Sequence, residues 1–148
     1  MSKQGPGGAM QDPWLSPDPW VPTLRVARPT DDIDALLPFY VDGLGFQILT
    51  RFEDHRGFSG IVLGHPGQPY HLEFTHHEGH KVGRAPTKDN LLAIYLPQRL
   101  AWQAAVNAMI ETGFHPVPSY NPYWDEHGRT FEDPDGYRVV LVQKHWDR

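Results

Sequence analysis

The stretch DIDALLPFYVDGLGF, residues 32–46, decides the fold of this chain of 148 residues. Its apolar side chains recur three and four residues apart, which places them on one face of a helix. These side chains are Ile33, Leu36, Leu37, Tyr40 and Val41. Asp31 or Asp32 can cap the start of the helix and Gly43 suits its end, whereas Pro38 should remove one internal hydrogen bond and bend it. The stretch therefore predicts a short, bent amphipathic helix.

Strands are predicted on both sides of this helix. One precedes it at Leu24–Arg28, and three follow, at Phe46–Glu53, Phe58–Gly64 and Tyr70–Thr75. These runs are rich in β-branched and aromatic residues and are separated by glycine- or proline-containing turns. The first half of the chain is therefore predicted to be a βαβββ module.

The second half repeats this plan. A strand-like run, Leu91–Leu96, comes before a second helical face that ends at Gly113. That face consists of Trp102, Ala105, Val106, Met109 and Ile110. Asp133-Pro134-Asp135-Gly136 has the residue order of a type I turn and predicts a closing hairpin. Two tandem βαβββ modules give a fold of the α+β class.

The first 22 residues differ in composition from the rest. Five prolines and three glycines between residues 5 and 22 predict an arm outside the core, with Trp14 and Trp20 as candidate anchors. We expect residues 23–148 to form one domain, with module one at about 23–78 and module two at about 89–144.

Composition narrows the range of partners. The net charge is −5 and there is no cluster of lysine and arginine, so we expect no nucleic acid partner. No apolar run is long enough for a membrane span, and we expect no membrane partner. The chain has no cysteine, which excludes disulfides and thiolate chemistry and is compatible with the cytoplasmic location that we expect.

Two motifs carry a family resemblance. Phe39-Tyr40 followed by Leu44-Gly45-Phe46, and the closing stretch Phe131–Leu141, resemble the first helix and the last hairpin of the glyoxalase/bleomycin-resistance/dioxygenase (vicinal oxygen chelate) superfamily. The resemblance implies modules that form a curved, barrel-like mixed sheet around a cleft, and a homodimer. It leaves the chemistry open, because this fold carries lyases, dioxygenases and drug-binding proteins.

The resemblance also locates the expected metal centre. Metal-dependent members carry His or Glu on the first and last strand of each module, and here those positions fall on Arg25, Glu73, Leu91 and Val140. Only Glu73 can ligate a metal ion, and one carboxylate does not hold a catalytic ion. We therefore expect no cofactor and no metal ligand, with a divalent metal as the less favoured alternative.

Other residues are candidates for ligand binding. His71 shares a strand face with Glu73, and we hypothesise that Arg25 pairs with Glu73, the alternative being a solvated Glu73 at the rim. Tyr95 and Arg138 lie on the corresponding strands of module two.

The loop before the penultimate strand adds Tyr120, Tyr123 and Trp124, which can stack on a planar ligand or hold their own turn. His76, His77 and His80 look like metal ligands, but a solvated connector between the modules is the favoured interpretation.

These observations favour a metal-independent small-molecule-binding protein of the glyoxalase/bleomycin-resistance type. The alternative is a lyase or dioxygenase-like enzyme that uses Glu73 with His71 as an acid/base pair, or a non-standard metal site.

Overall fold

The computed structural model describes residues 18–146, which form two compact units. The four-stranded unit contains residues 18–29 and 46–79, and the three-stranded unit contains residues 30–45 and 80–146. The segment 30–45, which includes the first helix, thus belongs to the unit that holds the second module. The barrel-like curvature, the cleft and the module boundaries predicted above stay predictions.

The four-stranded unit is a mixed sheet with the order β1-β4-β3-β2. Its strands are β1 (Leu24–Pro29), β2 (Gln47–His55), β3 (Phe58–Gly64) and β4 (Tyr70–His77). Strand β1 runs parallel to β4, while β2–β3 and β3–β4 are antiparallel. The four strands predicted from the sequence are all present, with β4 two residues longer than expected.

The three-stranded unit repeats this order as β5-β7-β6. Its strands are β5 (Leu91–Tyr95), β6 (Gly128–Glu132) and β7 (Arg138–Val142). The place of β2 is taken by a single bridge between Val117 and Thr130. Pro116 and Pro118 flank Val117, and because proline cannot donate a ladder hydrogen bond, no longer strand forms there. The second module therefore has three of the four strands of a βαβββ unit, and a single bridge stands for the fourth.

The first helix is broken where Pro38 predicts it. A 3-10 turn covers Asp34–Leu36 and a π-helical turn covers Pro38–Gly43. Asp32, not Asp31, caps the start, since its Oδ1 accepts the amide of Ala35 at 3.2 Å. The π-helical turn ends at Gly43, as the sequence predicts. The left-handed residue is Gly45, with φ 81°.

The second helix, α1, spans Arg99–Glu111 and ends before Gly113, which has φ 104°. Inside the three-stranded unit, α1 packs beside the π-helical turn. An ideal Cβ on Gly43 would lie 2.6 Å from Sδ of Met109. The ring of Phe39 meets that of Phe114 edge-on at 4.9 Å. The missing side chain of Gly43 therefore allows Met109 to approach the π-helical turn closely.

The predicted arm is described only from residue 18 onward. Residues 18–21 form an exposed turn in which the amide of Val21 donates to the carbonyl of Asp18. Trp20 is 91% exposed, so it does not anchor the arm on its own chain. Trp14, the other candidate anchor, lies outside the described residues.

Candidate functional site

The site predicted around Glu73 is assembled by the parallel pairing of β1 with β4. Arg25 lies opposite His71, and Ala27 lies opposite Glu73. Residues two apart on a strand share a face, so the Arg25 side chain can reach both His71 and Glu73. We call these three residues the Arg25 cluster.

Arg25 contacts both partners. Its Nη1 donates to Oε1 of Glu73 at 3.3 Å, and its Nη2 lies 3.4 Å from Nδ1 of His71. The pairing of Arg25 with Glu73, one of two alternatives from the sequence, is present. Glu73 is half-buried, its side chain being 17% exposed, against 37% for Arg25. The alternative of a fully solvated Glu73 is therefore wrong.

The contact with Arg25 concerns the tautomer of the His71 ring. A guanidinium group has only donors, so Nδ1 of His71 must accept. In the neutral imidazole this selects the tautomer with its proton on Nε2. His71 is buried, at 2% exposure, whereas the side chains of Arg25 and Glu73 are partly exposed.

The two histidines at the end of β4, His76 and His77, lie on opposite faces of the strand. His77 stacks on Phe58 with ring centroids 4.1 Å apart, whereas His76 faces the other way, as strand alternation predicts. His76 borders a cavity of about 320 Å³ at the β2–β3 hairpin that the sequence analysis missed. The other lining residues are Glu53, Asp54, Gly57, Ser59 and Glu78. The sequence signal that could have indicated this cavity is the pair Glu53-Asp54, which stands just before the turn.

Among residues 18–146, no three His, Asp or Glu side chains are grouped so that they could hold a metal ion. The side chains at the four positions implied by the resemblance also do not suit a metal ion. Arg25 cannot coordinate, and Glu73 is paired with it. Leu91 and Val140 carry no donor atom, and Val140 is fully buried. The side chains present do not suit the metal centre of the metal-dependent superfamily members.

In the three-stranded unit, Arg138 is 6% exposed and bonded internally. Its Nε donates to Oε1 of Glu132 at 3.1 Å and its Nη1 donates to the carbonyl of Pro118 at 3.1 Å. Arg84 donates to the other carboxylate oxygen of Glu132 at 3.3 Å. These bonds tie Arg138 to the start of the loop that carries Tyr120, Tyr123 and Trp124, which we call the aromatic loop. Its role as a ligand contact, like that of half-buried Tyr95, stays a prediction.

The aromatic loop contains a capped 3-10 turn. Pro122–Asp125 forms a 3-10 turn capped by Asn121, whose Oδ1 accepts the amide of Tyr123 at 3.0 Å. The rings of Tyr123 and Trp124 meet edge-on at 5.1 Å. Tyr120 is 69% exposed and Tyr123 is 51% exposed. The loop thus presents two tyrosine rings to solvent, and Trp124 packs against one of them, Tyr123.

Comparisons with known proteins agree with this architecture. The family models of the YycE-like N-terminal domain and the YycE-like C-terminal domain match residues 24–75 and 89–143. The uncharacterized protein YycE of Bacillus subtilis (strain 168) is 40% identical over 119 residues, or 80% of this chain and 86% of the relative.

Solved structures extend the comparison. The crystal structure of Bacillus subtilis YycE, of unknown function and grouped with glyoxalase/fosfomycin resistance proteins, aligns with a TM-score of 0.76 at 38% identity over 84% of this chain and 90% of that one. Trypanothione-dependent glyoxalase I of Leishmania major aligns at 0.63 and 20% identity, over 82% and 86% of the two chains. The fosfomycin resistance protein FosX of Mesorhizobium loti aligns at 0.60 and 9% identity, over 83% and 91%.

The fold is therefore that of the vicinal oxygen chelate superfamily, as the sequence motifs predicted. Within that superfamily, the chain belongs to the YycE-like family. No helix among residues 18–146 is long and apolar enough to cross a membrane.

Proposed function

We propose that this protein binds a small organic molecule without a resident metal ion, at a site centred on the Arg25 cluster. The observation that carries the proposal is the 3.3 Å contact between Arg25 and Glu73. The only candidate ligand among the four metal positions, Glu73, contacts a permanent cation, and this contact disfavours the binding of a metal ion by Glu73. The glyoxalase and fosfomycin resistance proteins of the same fold support the small-molecule class of the ligand.

The test is elemental analysis of the purified, untagged protein after incubation with nickel, zinc, manganese and ferrous iron, followed by dialysis. We expect far less than one ion per chain. An Arg25→His variant is the matched control, since it replaces a group that cannot coordinate by an imidazole next to Glu73 and His71, and it should retain more zinc than the wild type. About one tight ion per wild-type chain would overturn the proposal.

A screen of small molecules by thermal shift then tests the site itself. Hits should lose most of their stabilisation in Arg25→Ala and Glu73→Gln, because both groups contribute to binding. Tyr120→Ala tests the aromatic loop separately. Hits that stabilise the wild type and both cluster variants equally would move the site away from Arg25.

An enzyme that uses Glu73 as a general base with His71 is the second candidate. The contact of both side chains with one guanidinium group favours it, since Arg25 orients them together. The 2% exposure of His71 weighs against direct proton transfer from its ring to a ligand. Assays for glyoxalase and fosfomycin-resistance activity decide the matter: turnover that Glu73→Gln abolishes would replace binding by catalysis.

The homodimer expected from the resemblance is part of the proposal. Strand β1 lies at the edge of its sheet, with Leu24 62% exposed and Val26 43% exposed, and burial of such side chains by a second copy would stabilise both chains. Light scattering coupled to size-exclusion chromatography should give twice the monomer mass, and Val26→Glu should lower it.

A further inference from the structure

The ion pair between Arg25 and Glu73 is weak enough to open. It is a single contact of 3.3 Å, and the two side chains are 37% and 17% exposed. Partly exposed pairs of this kind contribute little to stability. The Arg138–Glu132 pair differs, because the Arg138 side chain is 7% exposed and Glu132 also accepts from Arg84. Of these two pairs, Arg25–Glu73 is therefore the one that can exchange partners at low cost.

The strand next to the pair leaves room for a new partner. Ala27 lies on the same face of β1 as Arg25 and directly opposite Glu73, and it is exposed. On the other side of Glu73 is Val62, which is buried. The position of β1 that lies opposite Glu73 and two residues from Arg25 therefore carries only a methyl group, and a ligand above Ala27 would lie beside both the guanidinium and the carboxylate.

The burial of the two groups determines the charges of the ligand. A purely anionic ligand would take Arg25 and leave the half-buried Glu73 carboxylate beside a second negative charge, which is unfavourable. A purely cationic ligand would take Glu73 and remove that partner from the partly exposed Arg25, which costs less but gains only one contact. A ligand with both charges replaces each half of the pair by a new one.

We infer that the site takes a zwitterion, an ammonium and a carboxylate one or two carbons apart, as at the α-amino-acid end of a small molecule. The carboxylate pairs with Arg25 and the ammonium with Glu73, while the rest of the ligand lies over Ala27. This inference rests on the function proposed above and names the chemistry of its ligand.

Two matched sets of probes test the charge requirement by isothermal titration: L-alanine with propionate and ethylamine, and L-phenylalanine with 3-phenylpropionate and 2-phenylethylamine. In each set the first compound has both charges and the others have one. We expect at least one zwitterion to bind ten-fold or more tightly than both of its analogues. Equal binding of a single-charge analogue, or no binding of either zwitterion, would overturn the inference.

The variant Ala27→Leu tests the position without changing a charge. Leucine fits an exposed strand position, so the unfolding midpoint should stay within a degree or two, while zwitterion affinity should fall at least ten-fold because the side chain fills the space between the two groups. Retained affinity in Ala27→Leu would also overturn the inference. Hits that depend on Arg25 but carry no zwitterion would sustain the proposed function alone, and a tight metal ion would remove the proposed function itself.

Discussion

The hydroxyl group of Tyr40 donates a 2.7 Å hydrogen bond to Oδ2 of Asp133, and the two residues are 93 positions apart. Both are buried, at 1% and 3% exposure. The other carboxylate oxygen of Asp133 accepts the amides of Asp135 and Tyr137, which fixes the turn before β7. One carboxylate thus joins the π-helical turn to the closing hairpin of the three-stranded unit.

We predict that Tyr40→Phe lowers the free energy of unfolding by about 2 kcal/mol, the typical contribution of a buried hydrogen bond to a charged acceptor. Urea denaturation measures the loss, and the slope of the transition should not change. Tyr120→Phe is the matched control, because its ring is exposed and its change should stay within about 0.5 kcal/mol. Equal losses in the two variants would mean that the Tyr40 bond contributes nothing.

The two arginines on Glu132 should differ in their effect on stability. Arg138→Met removes a buried partner and should cost about 3 kcal/mol, since the carbonyl of Pro118 also loses its donor. Arg84→Met removes a partner whose side chain is 65% exposed, and should cost less than about 1 kcal/mol. Thermal unfolding of the two variants side by side gives the comparison, and a larger loss for Arg84→Met would contradict the burial argument.

Much of the fold could be predicted because its signals are local. The spacing of Ile33, Leu36 and Tyr40 indicated a helix, and the order Asp133-Pro134-Asp135-Gly136 indicated a turn, which the bond from the amide of Gly136 to the carbonyl of Asp133 confirms. What could not be predicted depends on packing between distant residues. Met109 approaches Gly43 closely, and no local pattern contains that information.

The candidate site was predictable to a similar extent. Strand alternation placed His71 with Glu73, and the sequence analysis proposed that Arg25 pairs with Glu73. The contact of Arg25 with His71 was not predicted, because it depends on the register of β1 with β4. The bonds of Arg138 to Glu132 and Pro118 were not predictable, since they depend on side-chain conformation within a hairpin. The same holds for the cavity at the β2–β3 hairpin, which depends on the left-handed residues Asp54 and Arg56.

The connector after β4 is held by Asp31, and we predict that Asp31→Ala loosens it. The carboxylate of Asp31 accepts the amides of Val82 at 2.9 Å and Gly83 at 3.0 Å. Without these bonds, amide hydrogen exchange at both positions should accelerate at least ten-fold, which mass spectrometry of peptides from this region detects. Asp32→Ala is the control: it removes the cap on Ala35 and should leave exchange at residues 82–83 unchanged. Unaltered exchange in Asp31→Ala would contradict the prediction.

The last prediction concerns Gly128, which lets the aromatic loop approach β6. An ideal Cβ at this position would lie 2.6 Å from the carbonyl oxygen of Trp124 and 2.7 Å from Cγ2 of Val140. One of these neighbours is backbone and cannot rotate away, so Gly128→Ala must displace the 3-10 turn that carries Tyr123. Overpacking of this kind costs roughly 1–3 kcal/mol.

The near-ultraviolet circular dichroism of Gly128→Ala should change, because the edge-on contact of Tyr123 with Trp124 is disturbed. Gly67→Ala provides the comparison, since an added Cβ there meets nothing within 4 Å and only the left-handed backbone, with φ 82°, opposes it. Its near-ultraviolet spectrum should match that of the wild type. If Gly128→Ala keeps the wild-type spectrum and stability, the loop is not supported by its approach to β6, and the exposed tyrosines would owe their position to bonds within the loop, such as the Asn121 cap.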